Sequence, residues 1–326
     1  MILRLSPALN TEKNFWRRKK GDTDFGFKNS ARQHSYMNEA GLVLIICGPT
    51  GSGKSNAGLI LAEKIGGEII PADAFQFYRG LDLGTAKPTV LERNKIPHHL
   101  IDCLSPEENA NAHWYAEKVR LLVPEIIRRK KVPILVGGSG LYLRAVLDGF
   151  FEVPEPAAVL EARKQLLGVG PEELFSRLQR VDPEAAARIH PNDTYRLGRA
   201  LEVYLGTGKP ISTFRRQDMR FAYPFRLFGI YRNREELYLR IERRVEEIFR
   251  AGFPAEVKAL RERYDFSLPA FEAIGYREAA AYLSGEISLP DVKKIIKQKT
   301  RNYAKRQMTW FRKEKRIQWL NFSGRP

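Results

Sequence analysis

The residues best suited to chemistry form the run Gly48-Pro49-Thr50-Gly51-Ser52-Gly53-Lys54-Ser55, which satisfies the spacing G-x-x-x-x-G-K-[ST]. Its glycines let successive backbone N–H groups curl around phosphate oxygens, Lys54 adds a point charge, and Ser55 offers a hydroxyl suited to Mg2+. An apolar strand-like run, Leu42 to Cys47, precedes the loop, and a helical stretch, Ser55 to Ile65, follows it, so a bound anion would sit at a helix N-terminus. A chance match on a tight turn would lack that context. The acid that phosphate-hydrolysing enzymes carry on a second strand is missing where it is expected, because Val132 to Val136 runs into Gly137-Gly138-Ser139-Gly140. An acid does end a different strand-like run, where Glu68 to Ala72 delivers Asp73. The carboxyl ends of parallel strands line the ligand crevice, so Gly48, Asp73 and Gly137-Gly138 should converge, with Asp73 as the acid or base. Two other roles stay open for Asp73: a helix N-cap, or an Mg2+ ligand through water.

Positioning these residues requires a parallel sheet. Strand-like runs at 42–47, 68–72, 132–136 and 226–231 alternate with helical ones such as Ser55–Ile65 and Trp114–Arg129, which predicts an α/β fold: a P-loop NTPase-like parallel sheet core. Between 152 and 221 the pattern turns all-helical, with starts at Pro171-Glu172-Glu173, Asp182-Pro183-Glu184 and Asn192-Asp193 and a stop at Gly206-Thr207-Gly208. That block predicts an inserted helical subdomain within a catalytic core formed by 41–151 and 222–326. Leu237, Ile241, Val245, Ile248 and Phe249 recur at helix spacing and are expected in the core. Residues 1–40, with the run Arg17-Arg18-Lys19-Lys20, are expected to form a disordered basic extension, and Met37 leaves open whether it is a leader or an upstream start.

Composition excludes several classes. The apolar run 42–47 is far short of the roughly 20 residues of a membrane span, and no signal-peptide pattern opens the chain. Cys47 and Cys103, without any Cys-x-x-Cys pattern, offer neither a disulfide framework nor a zinc site, so the cytoplasm is the expected compartment. His98-His99 reads as a structural pair near Asp102, with no ligand cluster around it. The unusual feature is a net charge of +17, which points to a polyanionic partner. Residues 291–326 hold twelve Lys/Arg against Asp291 and Glu314, a net +10, and residues 1–36 add +5.

Beyond the loop, several long blocks occur in order: Asp73-Ala74-Phe75-Gln76-Phe77-Tyr78-Arg79-Gly80-Leu81-Asp82-Leu83-Gly84-Thr85-Ala86-Lys87-Pro88, His98-His99-Leu100-Ile101-Asp102, and Gly137-Gly138-Ser139-Gly140-Leu141-Tyr142-Leu143-Arg144-Ala145. Ile189-His190-Pro191-Asn192-Asp193, Ala273-Ile274-Gly275-Tyr276-Arg277-Glu278 and Thr300-Arg301-Asn302-Tyr303-Ala304-Lys305-Arg306-Gln307-Met308-Thr309-Trp310-Phe311 follow. Over about 42–320 the chain thereby resembles the tRNA dimethylallyltransferases, also known as tRNA isopentenyltransferases. The resemblance implies transfer of a dimethylallyl group from dimethylallyl diphosphate to the exocyclic N6 amine of the adenine 3′-adjacent to the anticodon, with Mg2+ as cofactor. Residues Gly48 to Ser55 would hold the diphosphate, Ser55 the metal, and Asp73, Arg144 and Ser55 would form the catalytic set. Contacts to the anticodon stem-loop would come from Asp73, Ala74, Phe75 and Gln76, from Ser139, from Tyr195, Arg196 and Arg199 in the inserted subdomain, and from Arg277, Arg301, Lys305 and Arg306. The sequence departs from the family pattern at Ala74, where Ser is expected, at Phe75, where a smaller residue is expected, and at Asn302, where Gln is common. A monomer without membrane attachment is expected.

The physics of the residues agrees with that resemblance. Departing diphosphate gathers negative charge, which a preorganised cradle of N–H groups, Lys54, Mg2+ and Arg144 would stabilise. An adenine amine is a poor nucleophile, so positioning it in line and accepting its proton at Asp73 would supply further help. A base reaches such a site only by leaving its stack, which costs least in a single-stranded loop. The basic C-terminal segment, with Tyr303, Trp310, Phe311 and Trp319, suits a folded RNA, although aromatics over a core and a solvated Lys293–Lys299 face are the plainer alternatives. Three other functions remain open on sequence: an adenylate (AMP) prenyltransferase, a P-loop small-molecule kinase, and a non-catalytic RNA-binding module with a relic nucleotide site.

Overall fold

The computed structural model describes residues 41–149, 156–214 and 221–324. The predicted basic extension over 1–40 and the predicted boundary at 151/152 lie outside them. The described residues divide into two compact units, one within 41–146 and 222–324, the other within 147–221.

The first unit is built on a five-stranded sheet whose pairings are all parallel, in the order β2-β3-β1-β4-β5. Strands β1 (Val43–Cys47), β2 (Gly67–Ala72) and β3 (Val132–Gly137) are buried at every position, β1 and β3 as continuous apolar runs covered on both faces and β2 with one buried acid, Glu68. β4 (Phe225–Tyr231) pairs with β1, and β5 (Gln318–Asn321) pairs with β4. Register decides what the sheet presents. Cys47 and Ala72 both stand opposite Gly137, so β1, β2 and β3 end in one row and the residues that follow, Gly48, Asp73 and Gly138, leave the sheet side by side.

Helix α1 (Lys54–Ile65) starts directly from Gly53, whose φ of 92° lies in the left-handed region open to glycine. Helices α2 (Val90–Lys95) and α3 (Ala112–Arg128) follow, the latter N-capped by Asn111, whose side-chain oxygen accepts from the Trp114 N–H. α4 (Gly140–Asp148) leaves the end of β3.

The second unit, 147–221, holds α5 (Pro156–Gln165), α6 (Pro171–Val181), α7 (Pro183–Ala186) and α8 (Thr194–Thr207). Its helices bury Leu174, Leu178, Leu197 and Leu201 in a core of their own. A Cβ on Gly206 would lie 2.8 Å from the Val159 backbone, so only glycine lets α5 and α8 approach this closely.

Back in the first unit, α9 (Arg234–Arg250), α10 (Phe253–Arg261), α11 (Tyr276–Leu283) and α12 (Leu289–Arg312) complete the fold. Leu237, Ile241 and Val245 of the predicted apolar stripe are buried, while Ile248 and Phe249 are half-buried. Leu237 and Ile241 pack with Ala304, joining α9 to α12. Strand β5 was absent from the sequence expectation, since a four-residue strand with polar ends carries too little periodicity to stand out. The histidine pair is anchored differently from the expectation. His99 Nε2 bonds Glu68 at 2.7 Å and His98 Nδ1 meets the Ile96 carbonyl at 2.7 Å, while Asp102 is taken by Lys87 and Arg93.

Candidate active site

The phosphate loop is held by partners distant in sequence. Arg232 Nε donates to the Ser52 carbonyl at 2.9 Å, Arg240 Nε to the Gly51 carbonyl at 3.1 Å, and Arg244 Nη1 to Thr50 Oγ1 at 3.2 Å. Lys54 Nζ reaches back to the Pro49 carbonyl at 3.3 Å. With its carbonyls engaged from outside, the loop keeps the first-turn N–H groups of α1, which have no intrahelical acceptor, for an anion. Gly51, at φ 79°, sits against Ile241, where an added Cβ would fall 3.0 Å from Cγ1. Ser52 is fully buried and its hydroxyl has no partner. Burial lowers the Lys54 ammonium to about 8, with nearby Asp73 pulling it back up and Arg244 pushing it down. Burial also lowers Arg244, against the pull of Asp73.

Asp73 stands half-buried at the end of β2, and its Oδ1 accepts from the Phe75 N–H at 3.0 Å. No helix begins there, so the N-cap role falls away. The aspartate lies within electrostatic reach of Lys54, Arg244, Tyr142 and Tyr303. The Tyr303 hydroxyl, in hydrogen-bonding reach of Ser139 and Gln307, is pushed up to about 12 by burial and by Asp73. Gln76 turns away, its Nε2 donating to the Thr85 and Ala86 carbonyls at 3.2 and 3.3 Å.

Helix α12 closes this end of the sheet. Gln307 Oε1 accepts from the Thr50 N–H at 2.8 Å, and its Nε2 donates to the Gly138 carbonyl at 2.9 Å. Trp310 packs on Gly140, where a Cβ would lie 2.3 Å from the indole, and the Arg144 guanidinium stacks over the same indole at 5.3 Å. Phe311 is buried, as the plainer reading of that aromatic pair anticipated, while Trp310 is half-buried under Arg144.

The structure thus brings Gly48 to Ser55, Asp73 and Ser139 to one end of the sheet. It does not leave all the named cations free. Arg301 pairs with Glu242 at 2.7 Å, and Arg277 donates to the Phe266 and Ser267 carbonyls at 3.3 and 3.2 Å. Lys293 and Lys297 share Glu246 at 2.8 and 2.6 Å, holding its carboxyl down at about 2, so these two are not merely solvated. Lys305 and Arg306 are exposed, Arg306 lying over the Tyr303 ring. In the helical unit Tyr195 is 80% exposed, Arg196 pairs with Asp193, and Arg199 joins Arg163 on the buried Glu202. Asn302 accepts from Gln298 Nε2 at 3.3 Å.

Sequence reasoning missed Arg232, Arg240, Arg244 and Gln307. Their one visible signal was the pair Arg240 and Arg244 at i, i+4 beside an apolar stripe, a pattern equally common on solvated helices. Among the described residues no group of three or more His, Cys, Asp or Glu could hold a metal, and no helix is long and apolar enough to cross a membrane.

Residues 76–314 match the family described as IPP transferase. This chain belongs to the IPP transferase family. It is 48% identical over 286 residues to tRNA dimethylallyltransferase 1 of Citrifermentans bemidjiense, covering 86% of this chain and 92% of that one. Identity to the tRNA dimethylallyltransferase of Geobacter metallireducens is 47% over 289 residues, covering 87% and 93%. Among solved structures, the tRNA isopentenylpyrophosphate transferase of Bacillus halodurans aligns with a TM-score of 0.64 at 36% identity, covering 86% of this chain and 90% of that one. A eukaryotic dimethylallyltransferase, captured acting on tRNA, aligns with a TM-score of 0.75 at 30% identity, covering 87% and 74%. The IPP transferase parallel sheet and loop therefore carry the family's enzyme scaffold.

Proposed function

We propose that this chain transfers the dimethylallyl group of dimethylallyl diphosphate to the exocyclic N6 amine of the adenine 3′-adjacent to the anticodon in tRNA. The observation that carries the reading is the strand register, which ends β1, β2 and β3 level and so sets the phosphate loop beside Asp73, within electrostatic reach of Lys54. The family's tRNA-modifying relatives support the same assignment.

The loop N–H groups and Lys54 bind the diphosphate and take up the charge it gains as it leaves. Arg144, stacked on Trp310, adds a cation. The C–O bond to the prenyl carbon breaks, the N6–C bond forms, and the amine proton passes to Asp73. The exposed Ser55 hydroxyl, a hard oxygen donor at the start of α1, is the residue that would hold Mg2+. That ion would supply further charge neutralisation on the leaving group. Asp73 and Ser139 would face the adenine, while the Gln76 amide, bonded to the Thr85 and Ala86 carbonyls, would reach it only by turning; Lys305 and Arg306 on an exposed face, and Tyr195, Arg196 and Arg199 in the helical unit, would contact the RNA. The enzyme acts as a cytoplasmic monomer.

Incubation with labelled dimethylallyl diphosphate and either tRNA or AMP tests the assignment, and label should enter tRNA alone. Labelling of free AMP would make the chain an adenylate prenyltransferase. Steady ATP hydrolysis with no prenyl transfer would return it to the P-loop kinases.

A further inference from the structure

Gln307 is 7% exposed and sits on α12, remote in sequence from the two turns its carboxamide bonds. Both ends of its carboxamide are used. The oxygen accepts from Thr50 N–H inside the phosphate loop at 2.8 Å, and the nitrogen donates to the Gly138 carbonyl at 2.9 Å. The turn it grips continues to Asp73, because the next residue, Ser139, donates its N–H at 3.2 Å to the carbonyl of Ala72, the residue before Asp73. A single side chain therefore joins the loop that carries the leaving group to the turn that carries the acid, through Thr50, Gln307, Gly138, Ser139 and Ala72. Gly138 is shaped to receive it, since a Cβ there would fall 2.3 Å from Gln307 Nε2.

We propose that Gln307 is a positioning residue for the transfer, fixing the separation between the phosphate loop and the Gly138-Ser139 turn so that the diphosphate and the acceptor beside Asp73 meet in line. This rests on the prenyl-transfer reading above. Only a primary amide of this length can accept from one turn and donate to the other: Glu lacks the donor, Met lacks both groups, and Asn is a methylene short. Loss of the carboxamide should leave the diphosphate site formed, because Arg232, Arg240 and Arg244 hold the loop independently from its other side. What is lost is alignment, and misplacement of reacting groups by about 1 Å can cost on the order of 10²-fold in rate.

The test compares the full-length wild type with Gln307→Met, and with Gly138→Ala, which displaces the carboxamide without altering it. Calorimetry with dimethylallyl diphosphate gives both affinity and the number of intact sites, so single-turnover transfer to tRNA is read per folded site even in a partly unfolded preparation. Transfer per site should fall on the order of 10²-fold in both variants, while affinity for dimethylallyl diphosphate changes by less than about threefold. Transfer within about twofold of wild type, or a fall matched by an equal loss of diphosphate affinity, overturns the positioning role while leaving the prenyl-transfer reading intact. A wild-type chain that binds the diphosphate but transfers nothing to tRNA overturns both.

Discussion

The two sides of α12 do opposite work. Its inner side presents Tyr303, Gln307 and Trp310 at helix spacing, largely buried and uncharged at neutral pH, and these brace the phosphate loop, the Gly138-Ser139 turn and Arg144. Its outer side, with Lys313 just past its end, presents Asn302, Lys305, Arg306, Thr309, Arg312 and Lys313, all exposed, and among the described residues no acid pairs with the four cations of this set. A third group, on the earlier turns, looks as basic in sequence but is neutralised: Lys293 and Lys297 share Glu246, Lys299 pairs with Glu278, and Arg301 with Glu242. The contrast teaches that a net charge locates a polyanion surface only after paired cations are removed from it. Under the proposed function, the inner side would set geometry for the chemical step and the outer side would supply affinity for RNA.

The strongest way to break that separation is at the site itself. Asp73→Asn should lower single-turnover transfer by roughly 10²–10⁴, the range for removing a positioned general base, with tRNA affinity unchanged. Near-wild-type transfer would demote Asp73 to the turn it makes with the Phe75 N–H.

Neutralising Lys305, Arg306, Arg312 and Lys313 together should weaken tRNA binding on the order of 10²-fold and flatten the dependence of log affinity on log salt by about 0.9 per lost phosphate contact. Affinity for dimethylallyl diphosphate should hold. An unchanged salt slope would move the RNA surface to the helical unit, where Tyr195, Arg196 and Arg199 are next to test.

The loop that this inner side braces also carries a titration. Lys54 is lowered to about 8, so its charge is present below that pH and lost above it. Diphosphate affinity should fall by up to about tenfold per pH unit above 8 and the step should vanish in Lys54→Met, as followed by calorimetry across pH.

The smallest effect is expected at the paired cations. Lys293→Gln with Lys297→Gln should leave the tRNA salt slope nearly unchanged and cost about 1 kcal/mol in thermal unfolding, since these half-buried pairs are still screened by solvent. With the Glu246 carboxyl held at about 2, its contribution is present above the ordinary carboxylate value and lost as pH falls toward 2. Acid scans of wild type and double mutant should therefore converge at low pH. A large drop in tRNA affinity would show that these lysines leave Glu246 for phosphate.

Much of the scaffold was legible before any coordinates. Leu42 to Cys47 and Val132 to Val136 are apolar at every position, which in an α/β chain means a strand covered on both faces, and the two runs form β1 and β3 almost at the predicted limits. The glycines of the loop announce a tight turn between a strand and a helix, and the turn forms there, with Gly51 and Gly53 at positive φ. β5 could not be seen because its pairing with β4 comes from tertiary contact and not from pattern. The anchoring of His99 by Glu68 was missed for the same reason, since 31 residues separate the two.

By itself the sequence determined the phosphate loop, the aspartate after the second strand, the alternation that makes a parallel sheet and the concentration of charge at the far end, because each is written in residues close together in the chain. Tertiary structure alone decided which cations stay free, that Arg232, Arg240 and Arg244 grip the loop, and that Gln307 ties it to Gly138. Those contacts span from 169 to 257 residues. A hydrogen bond reads direction and distance at its own ends, and neither exists until the sheet has set its register and α9 and α12 have packed against it.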